Sequence, residues 1–235
     1  MKDFSNRYIF TFAVVMVAIV AVVLSLAATL LKPAQDKNYE IEKKKSMLES
    51  IGIYAERSEV TALYDKHIKE SFVIDSSGNT VSGTDAFGID LAEELKKGDS
   101  NLLLPVFKAV TDDNEDVIIV PVTGTGLWGP IWGYIALKND MNTIFGVTYD
   151  HESETPGLGA EINTTAFESE FLGKKLFEGN EFVSISLIKT GADPSDQHAV
   201  DAISGGTMTS RGLQAMLKNC LGLYEPFLKS NMDRQ

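Results

Sequence analysis

Cysteine is nearly absent from this chain. The single Cys220 excludes an internal disulfide and any multi-cysteine metal or iron–sulfur site. Histidine is scarce too. His67, His151 and His198 are scattered, with no i,i+4 pair of metal ligands. The one GxGxxG spacing, Gly124 to Gly129, follows a predicted strand but runs into another strand and not a helix, so it is no dinucleotide fingerprint and NADH oxidation is not expected on this chain. No glycine-rich stretch runs into Gly-Lys-Ser/Thr, which excludes a P-loop. Ser204 and Ser210 lack a GxSxG context, and spacing suggests no His/Asp partner, so an anchored hydrolase is a weak reading. Basic residues are outnumbered: 21 Lys and Arg against 33 Asp and Glu give a formal charge of −12. Only Lys2, Asp3 and Arg7 precede residue 32, so the acidic excess belongs to the rest. Such a surface repels nucleic acid and anionic headgroups.

What the chain does have is one long apolar run. Residues 8–31, YIFTFAVVMVAIVAVVLSLAATLL, carry no charge, and roughly 20 apolar residues span a bilayer core as a helix. A cleaved signal peptide is the alternative, and Ser25, Ala27 and Ala28 suit a cleavage site. Its apolar core would be only about 7–15 residues, however. The expectation is a tail over 1–7, a transmembrane helix over 8–31 and one domain over 32–235. Lys32, Lys37 and Lys43 to Lys45 outnumber the basic residues before the run. Long domains cross membranes largely regardless of charge, so charge leaves the orientation close to even.

Periodicity gives the rest of the outline. Residues 36–51 read as a polar helix continuing the anchor, and 57–68 as a second helix. Residues 71–83 read as strand, turn, strand, with the turn at 75–79. A short helix over 89–97 ends at Gly98. Residues 102–111 and 117–124 are β-rich, and Pro105 and Pro121 argue for edge or irregular strands. Residues 131–138, 143–150 and 181–189 read as strands and 164–173 as a helix. Leu213, Met216, Leu217, Cys220, Leu221 and Tyr224 form one apolar face of a last helix. This mixed order indicates an α+β domain with a mostly antiparallel sheet.

Three segments stand out. Residues 201–210, DAISGGTMTS, place two glycines before a threonine at a helix entrance. Glycine permits close ligand approach, and free N–H groups at a helix start favour phosphate. The bland alternative is a turn with a Thr or Ser cap. Residues 151–161, HESETPGLGAE, set Leu158 between two glycines, which suits a flat ligand or merely joins a strand to a helix. Residues 124–133, GTGLWGPIWG, bring Trp128 and Trp132 among four glycines, as cofactor walls or as core. Lys189, at the end of its strand, either balances a phosphate or is solvated. Cys220 lies on an apolar face, so a buried structural thiol is the default.

Taken in order behind one anchor, ETPGLGAE (154–161), GLWGPIWGYIAL (126–137) and DAISGGTMTS (201–210) resemble the NqrC family, the C subunits of the sodium-translocating NADH:quinone oxidoreductase. The likeness runs from the anchor to the terminal helix. The G subunit of the Rnf electron-transport complex shares the same FMN-binding domain and is the near alternative. The resemblance implies FMN held covalently by a phosphoester to Thr207, installed from FAD by a flavin transferase with Mg2+. Asp201 stands six positions before Thr207, as in the family. Gly206 departs from the alanine usual there, and Thr209 is a fallback acceptor. Ser204, Gly205 and Gly206 would border the attachment point. Glu154, Thr155, Leu158 and Gly159 would contact the flavin ring, Leu127 and Trp128 would wall it, and Lys189 would balance charge. No residue need act as a catalytic acid or nucleophile, because the cofactor supplies the redox chemistry. The implied role is electron relay among the subunits of a Na+-exporting complex of the bacterial inner membrane, with the domain on the periplasmic side. One span is too few for an ion path, so Na+ passage belongs to other subunits. A non-redox, membrane-anchored binding domain is the rival of another class. A yellow, covalently flavinylated protein would exclude that rival.

Overall fold

The computed structural model describes residues 5–98 and 102–232; Lys2, Asp3 and the rest of residues 1–4 of the expected tail lie outside them. Helix α1, Asn6–Ser50, is continuous through Pro33, so the expected boundary after Leu31 falls inside a helix rather than at a break. The chain forms two compact units, Met1–Lys43 and Lys44–Gln235. In the first, the large side chains of the apolar run are exposed. That helix is long and apolar enough to cross a membrane.

The second unit is built on a six-stranded antiparallel sheet in the order β2-β1-β3-β4-β5-β6. The strands are β1 (Ile68–Ile74), β2 (Thr80–Val81), β3 (Leu104–Val110), β4 (Asp116–Thr125), β5 (Pro130–Lys138) and β6 (Ile144–His151). The 75–79 turn forms as expected. Asp75 Oδ1 accepts the N–H groups of Ser77 and Asn79, both at 2.9 Å. Helices α2 (Val60–His67) and α3 (Leu91–Leu95) also fall where periodicity places them.

Helix α5, Thr207–Met232, packs across the sheet. Leu213, Met216, Leu217, Cys220, Leu221 and Tyr224 are all buried. Burying a large aliphatic side chain contributes about 1.5–3 kcal/mol, so this face anchors the helix firmly. Two glycines let it approach β4 closely. A Cβ on Gly124 would stand 2.7 Å from Met216 Cβ, and one on Gly212 would strike the Thr125 carbonyl. The first turn of α5 is therefore held beside the loop that leaves β4.

Three expectations need correction. Pro105 and Pro121 lie in β3 and β4, interior strands, so the edge alternative fails and the irregular-strand alternative holds. The β3–β4 ladder stops at Phe107↔Ile119, so beyond that pair neither proline has to donate across it. The freed Pro105 carbonyl accepts the Tyr224 hydroxyl at 3.1 Å. Residues 181–189 are not one strand. Ser184 at φ 62° separates β8 (Glu181–Phe182), which pairs with β7 (Phe177–Glu178), from β9 (Ser186–Ile188). Strand β9 pairs in parallel with β10 (Ala199–Asp201), a pairing the local pattern did not signal. The helix expected over 164–173 is limited to α4, Thr165–Ser169, and the chain turns at Gly173 with φ 76°.

The last turn of α1 packs on β6. The Thr148 hydroxyl donates to the Ser46 carbonyl at 3.0 Å, and a Cβ on Gly146 would meet the Ser50 carbonyl. On α4, Glu168 accepts the Tyr149 N–H at 2.8 Å. Burial, aided by the charges of Glu49 and Asp150 and opposed by that hydrogen bond, pushes its carboxyl up to about 7.

Candidate functional site

Three loops meet at one end of the sheet. The first joins β4 to β5 and closes with a Gly126 N–H bond to the Gly129 carbonyl at 2.8 Å. It leaves Leu127 and Trp128 exposed, Trp128 by 66%. The second follows β6. The Thr155 carbonyl accepts from the N–H groups of Leu158 and Ala160, both at 3.1 Å. Gly157 takes φ 73°, and Leu158 is left 42% exposed just before a short 3-10 helix, Gly159–Asn163. The third runs from β10 into α5. Its Ile203 N–H bonds Ser210 Oγ at 3.1 Å, and the Ser210 N–H bonds the Gly206 carbonyl at 2.8 Å. Thr207 is the first residue of α5 and is half-buried.

Glu154 ties the loops together. It is 4% exposed. Oε2 accepts the Thr209 hydroxyl at 2.6 Å, and Oε1 accepts the Trp128 N–H at 2.8 Å. The Glu154 N–H reaches His151 Nδ1 at 3.3 Å. Burial opposes its charge. Hydrogen bonds from Thr209, Trp128 and Leu127, with the attraction of His151, nonetheless hold the carboxyl below the usual range. Gly126 and Gly159 flank this carboxylate, and a Cβ on either would collide with it.

The glycines before Thr207 are equally constrained. Gly205 has φ 76° and lies under Leu158 Cδ2. Gly206 is buried, and a Cβ there would stand 2.9 Å from Ile203 Cγ2 and 3.4 Å from the Gly159 nitrogen. Ser204 and Thr155 are exposed at the rim. Lys189 is exposed just past β9. There the Ile188 carbonyl accepts the Ala202 N–H at 3.0 Å, which brings the lysine to the entrance of the third loop. Asp201 is held by its N–H to Glu170 Oε2 at 2.9 Å and by accepting the Ala192 N–H.

The residues picked out by sequence thus lie on these three loops, in the first turn of α5 and at the end of β9. Two expected roles change. Thr209 is 1% exposed with its hydroxyl on Glu154, so it is a buried strut and not a spare acceptor. Glu154 has both oxygens hydrogen-bonded within the protein, so its carboxylate braces the loops. Ser210 and Gly126 were missed as struts, because their partners lie on other loops or across a turn.

The arrangement suits FMN. Free N–H groups at the start of a long helix favour a phosphate, and Thr207 offers a hydroxyl at that point. Leu127, Trp128, Leu158 and Met208 are exposed apolar side chains of the kind that can flank a flat ring. Residues 126–222 match the FMN-binding domain family. The C subunit of the Na(+)-translocating NADH-quinone reductase of Vibrio anguillarum is 32% identical, over 94% of this chain and 94% of that protein. Its counterpart in Haemophilus ducreyi is 33% identical, over 93% of this chain and 91% of that protein. The chain belongs to the NqrC family, the C subunits of the Na(+)-translocating NADH-quinone reductase. A crystal structure of the NqrC protein of Parabacteroides distasonis is 41% identical and superimposes with a TM-score of 0.78. The match spans 84% of this chain and 96% of that one. The mostly antiparallel domain, which follows a long apolar helix in this chain, therefore has the NqrC fold.

Proposed function

We propose that this NqrC chain is the membrane-anchored FMN subunit of a Na+-exporting NADH:quinone oxidoreductase and relays electrons between neighbouring subunits toward quinone. The observation that carries the reading is Thr207 at the first position of α5, behind a glycine pair and beside exposed apolar side chains. Its hydroxyl oxygen bonds to the FMN phosphorus of FAD, AMP leaves, and the hydroxyl proton is released. A separate flavin transferase with Mg2+ catalyses this step. The bound flavin supplies the electron chemistry.

The protein's own residues do the rest. The first N–H groups of α5 neutralise phosphate charge, and Lys189 adds a positive charge near the loop entrance. Trp128, Leu127 and Leu158 flank the ring and limit its contact with water. A tethered cofactor does not dissociate, which suits repeated transfer. Relatives named as the C subunit of the Na(+)-translocating reductase, over more than nine-tenths of the chain, favour this complex over the Rnf alternative. NADH oxidation and Na+ passage are assigned to other subunits. In this reading the domain lies on the periplasmic side of the inner membrane, as the family resemblance implies.

The test is co-expression with a flavin transferase, denaturing electrophoresis and in-gel flavin fluorescence. A fluorescent band lost in Thr207→Ala supports the assignment. A dark wild-type band, with the transferase active on a known substrate, refutes it and favours the non-redox binding domain.

A further inference from the structure

The flavin reading leaves a buried charge without a task. A buried carboxylate is costly unless paired or hydrogen-bonded, and both oxygens of Glu154 are taken by groups of the protein itself and not turned toward a ligand's place. Its bonds run instead between segments distant in sequence. Oε1 takes the backbone of the Trp128 loop at 2.8 Å, Oε2 takes Thr209 in the first turn of α5 at 2.6 Å, and its own backbone leads into the Leu158 loop. Around it, Gly126 and Gly159 have no side chain where one would displace the carboxylate. The packing reinforces the bonds: Gly159 abuts Thr209, and Leu158 lies on Gly205.

We infer that Glu154 is a positioning residue, with Thr209 as its partner: it locks the Leu127–Trp128 wall and the Leu158 wall to the helical turn that carries Thr207, and it makes no contact with the cofactor. The purpose of the lock rests on the flavin reading, but the lock itself exists in flavin-free protein and is measurable there. Hydrogen bonds that hold its carboxyl below the usual range, against burial, also keep it ionised at neutral pH. Ionic hydrogen bonds are the strong ones.

The decisive variant is Thr209→Val, which keeps the volume and removes the hydroxyl. Thr209→Ser restores it. In full-length protein prepared in detergent without transferase, Thr209→Val raises amide hydrogen exchange about tenfold or more at residues 127–128 and 158–160, as expected for loss of a hydrogen bond to a charged group. The strands β3 and β4 stay protected. Thr209→Ser behaves as the wild type. Should Thr209→Val not fold, Glu154→Gln keeps the shape and one acceptor oxygen and loosens the same two segments by a smaller factor. Exchange that rises only around residue 209, or a serine variant as loose as the valine one, overturns the lock.

With transferase present, Thr209→Val still takes flavin on Thr207, but flavin anisotropy falls because the ring is less restrained. Loss of covalent flavin from a domain with wild-type exchange overturns the inference in favour of a direct role in attachment. A wild type that takes no flavin refutes the flavin reading alone, and the exchange result still decides the lock.

Discussion

Glu168→Gln makes this protein more stable at pH 8 and leaves it unchanged at pH 4. The carboxyl lies against β6, accepts the Tyr149 N–H and feels Glu49 and Asp150. Burial foremost, with those charges, raises it from 4.5 to about 7. Below about 4.5 the folded and unfolded chains both hold the proton, so the site contributes no pH dependence. Between about 4.5 and 7 the folded chain holds more protons than the unfolded one, and stability falls as pH rises. Above 7 the whole penalty is in place. A shift of roughly 2.5 units corresponds to a ceiling of about 3 kcal/mol. The side chain is only partly buried, and solvent screening reduces this to about 1.5 kcal/mol. Glutamine mimics the protonated form and keeps an oxygen for the Tyr149 N–H. For a domain of this size 1 kcal/mol moves Tm by about 2–4 °C, so the variant gains about 3–6 °C at pH 8. The assay is thermal unfolding of both full-length proteins in detergent, followed by circular dichroism at several pH values. Taking the difference between them cancels every other titrating group. A difference that does not grow between pH 5 and pH 8, or a variant less stable at pH 8, refutes the reasoning.

Other outcomes follow from the same geometry. Gly159→Ala drives a methyl into Glu154 and Thr209 and destabilises the domain by about 1–3 kcal/mol, read by denaturant titration. Gly205→Ala forces φ 76° on a residue with a side chain, under Leu158. It loses the backbone cost of about 1–2 kcal/mol and the cost of the clash besides, whereas Gly157→Ala, at φ 73° with open space around it, loses only the backbone part. Glu154 stays ionised until pH falls below the ordinary carboxylate range. Its contribution is therefore full above the unfolded value and lost as pH falls through the folded one. Protection at residue 128, taken relative to the intrinsic exchange rate at each pH, should fall only in that acid range, and a loss of protection near pH 6 would contradict the hydrogen-bond pattern. Thr207→Ala abolishes in-gel flavin fluorescence while leaving the unfolding midpoint within about 0.5 kcal/mol of wild type, the usual range for substitutions outside the core.

Local periodicity was enough for most elements. The α5 stripe at 213, 216, 217, 220, 221 and 224 is a 3.6-residue signal, and every one of those side chains is buried. The prolines misled because their tolerance depends on where the β3–β4 ladder ends, a property of pairing and not of either strand alone. Residues 181–189 misled because a β-rich run gives no sign of the positive φ at Ser184. At the site, the segments were legible as glycine-rich runs near a threonine. The roles of Glu154 and Thr209 were not. They meet across 55 positions of sequence, and only the fold that pins α5 to β4 brings them within hydrogen-bond distance.

Thr207 begins the same helix whose inner face fills the core. Leu213, Leu217 and Leu221 have no exposed surface. An attachment point built this way has no hinge of its own. In the flavin reading the attachment oxygen keeps its coordinates for as long as the domain stays folded, and only the ring beyond it depends on the walls. On the proposed function, the anchored end of a transfer distance is then as reproducible as the fold, set by packed leucines two and more turns from the bond itself.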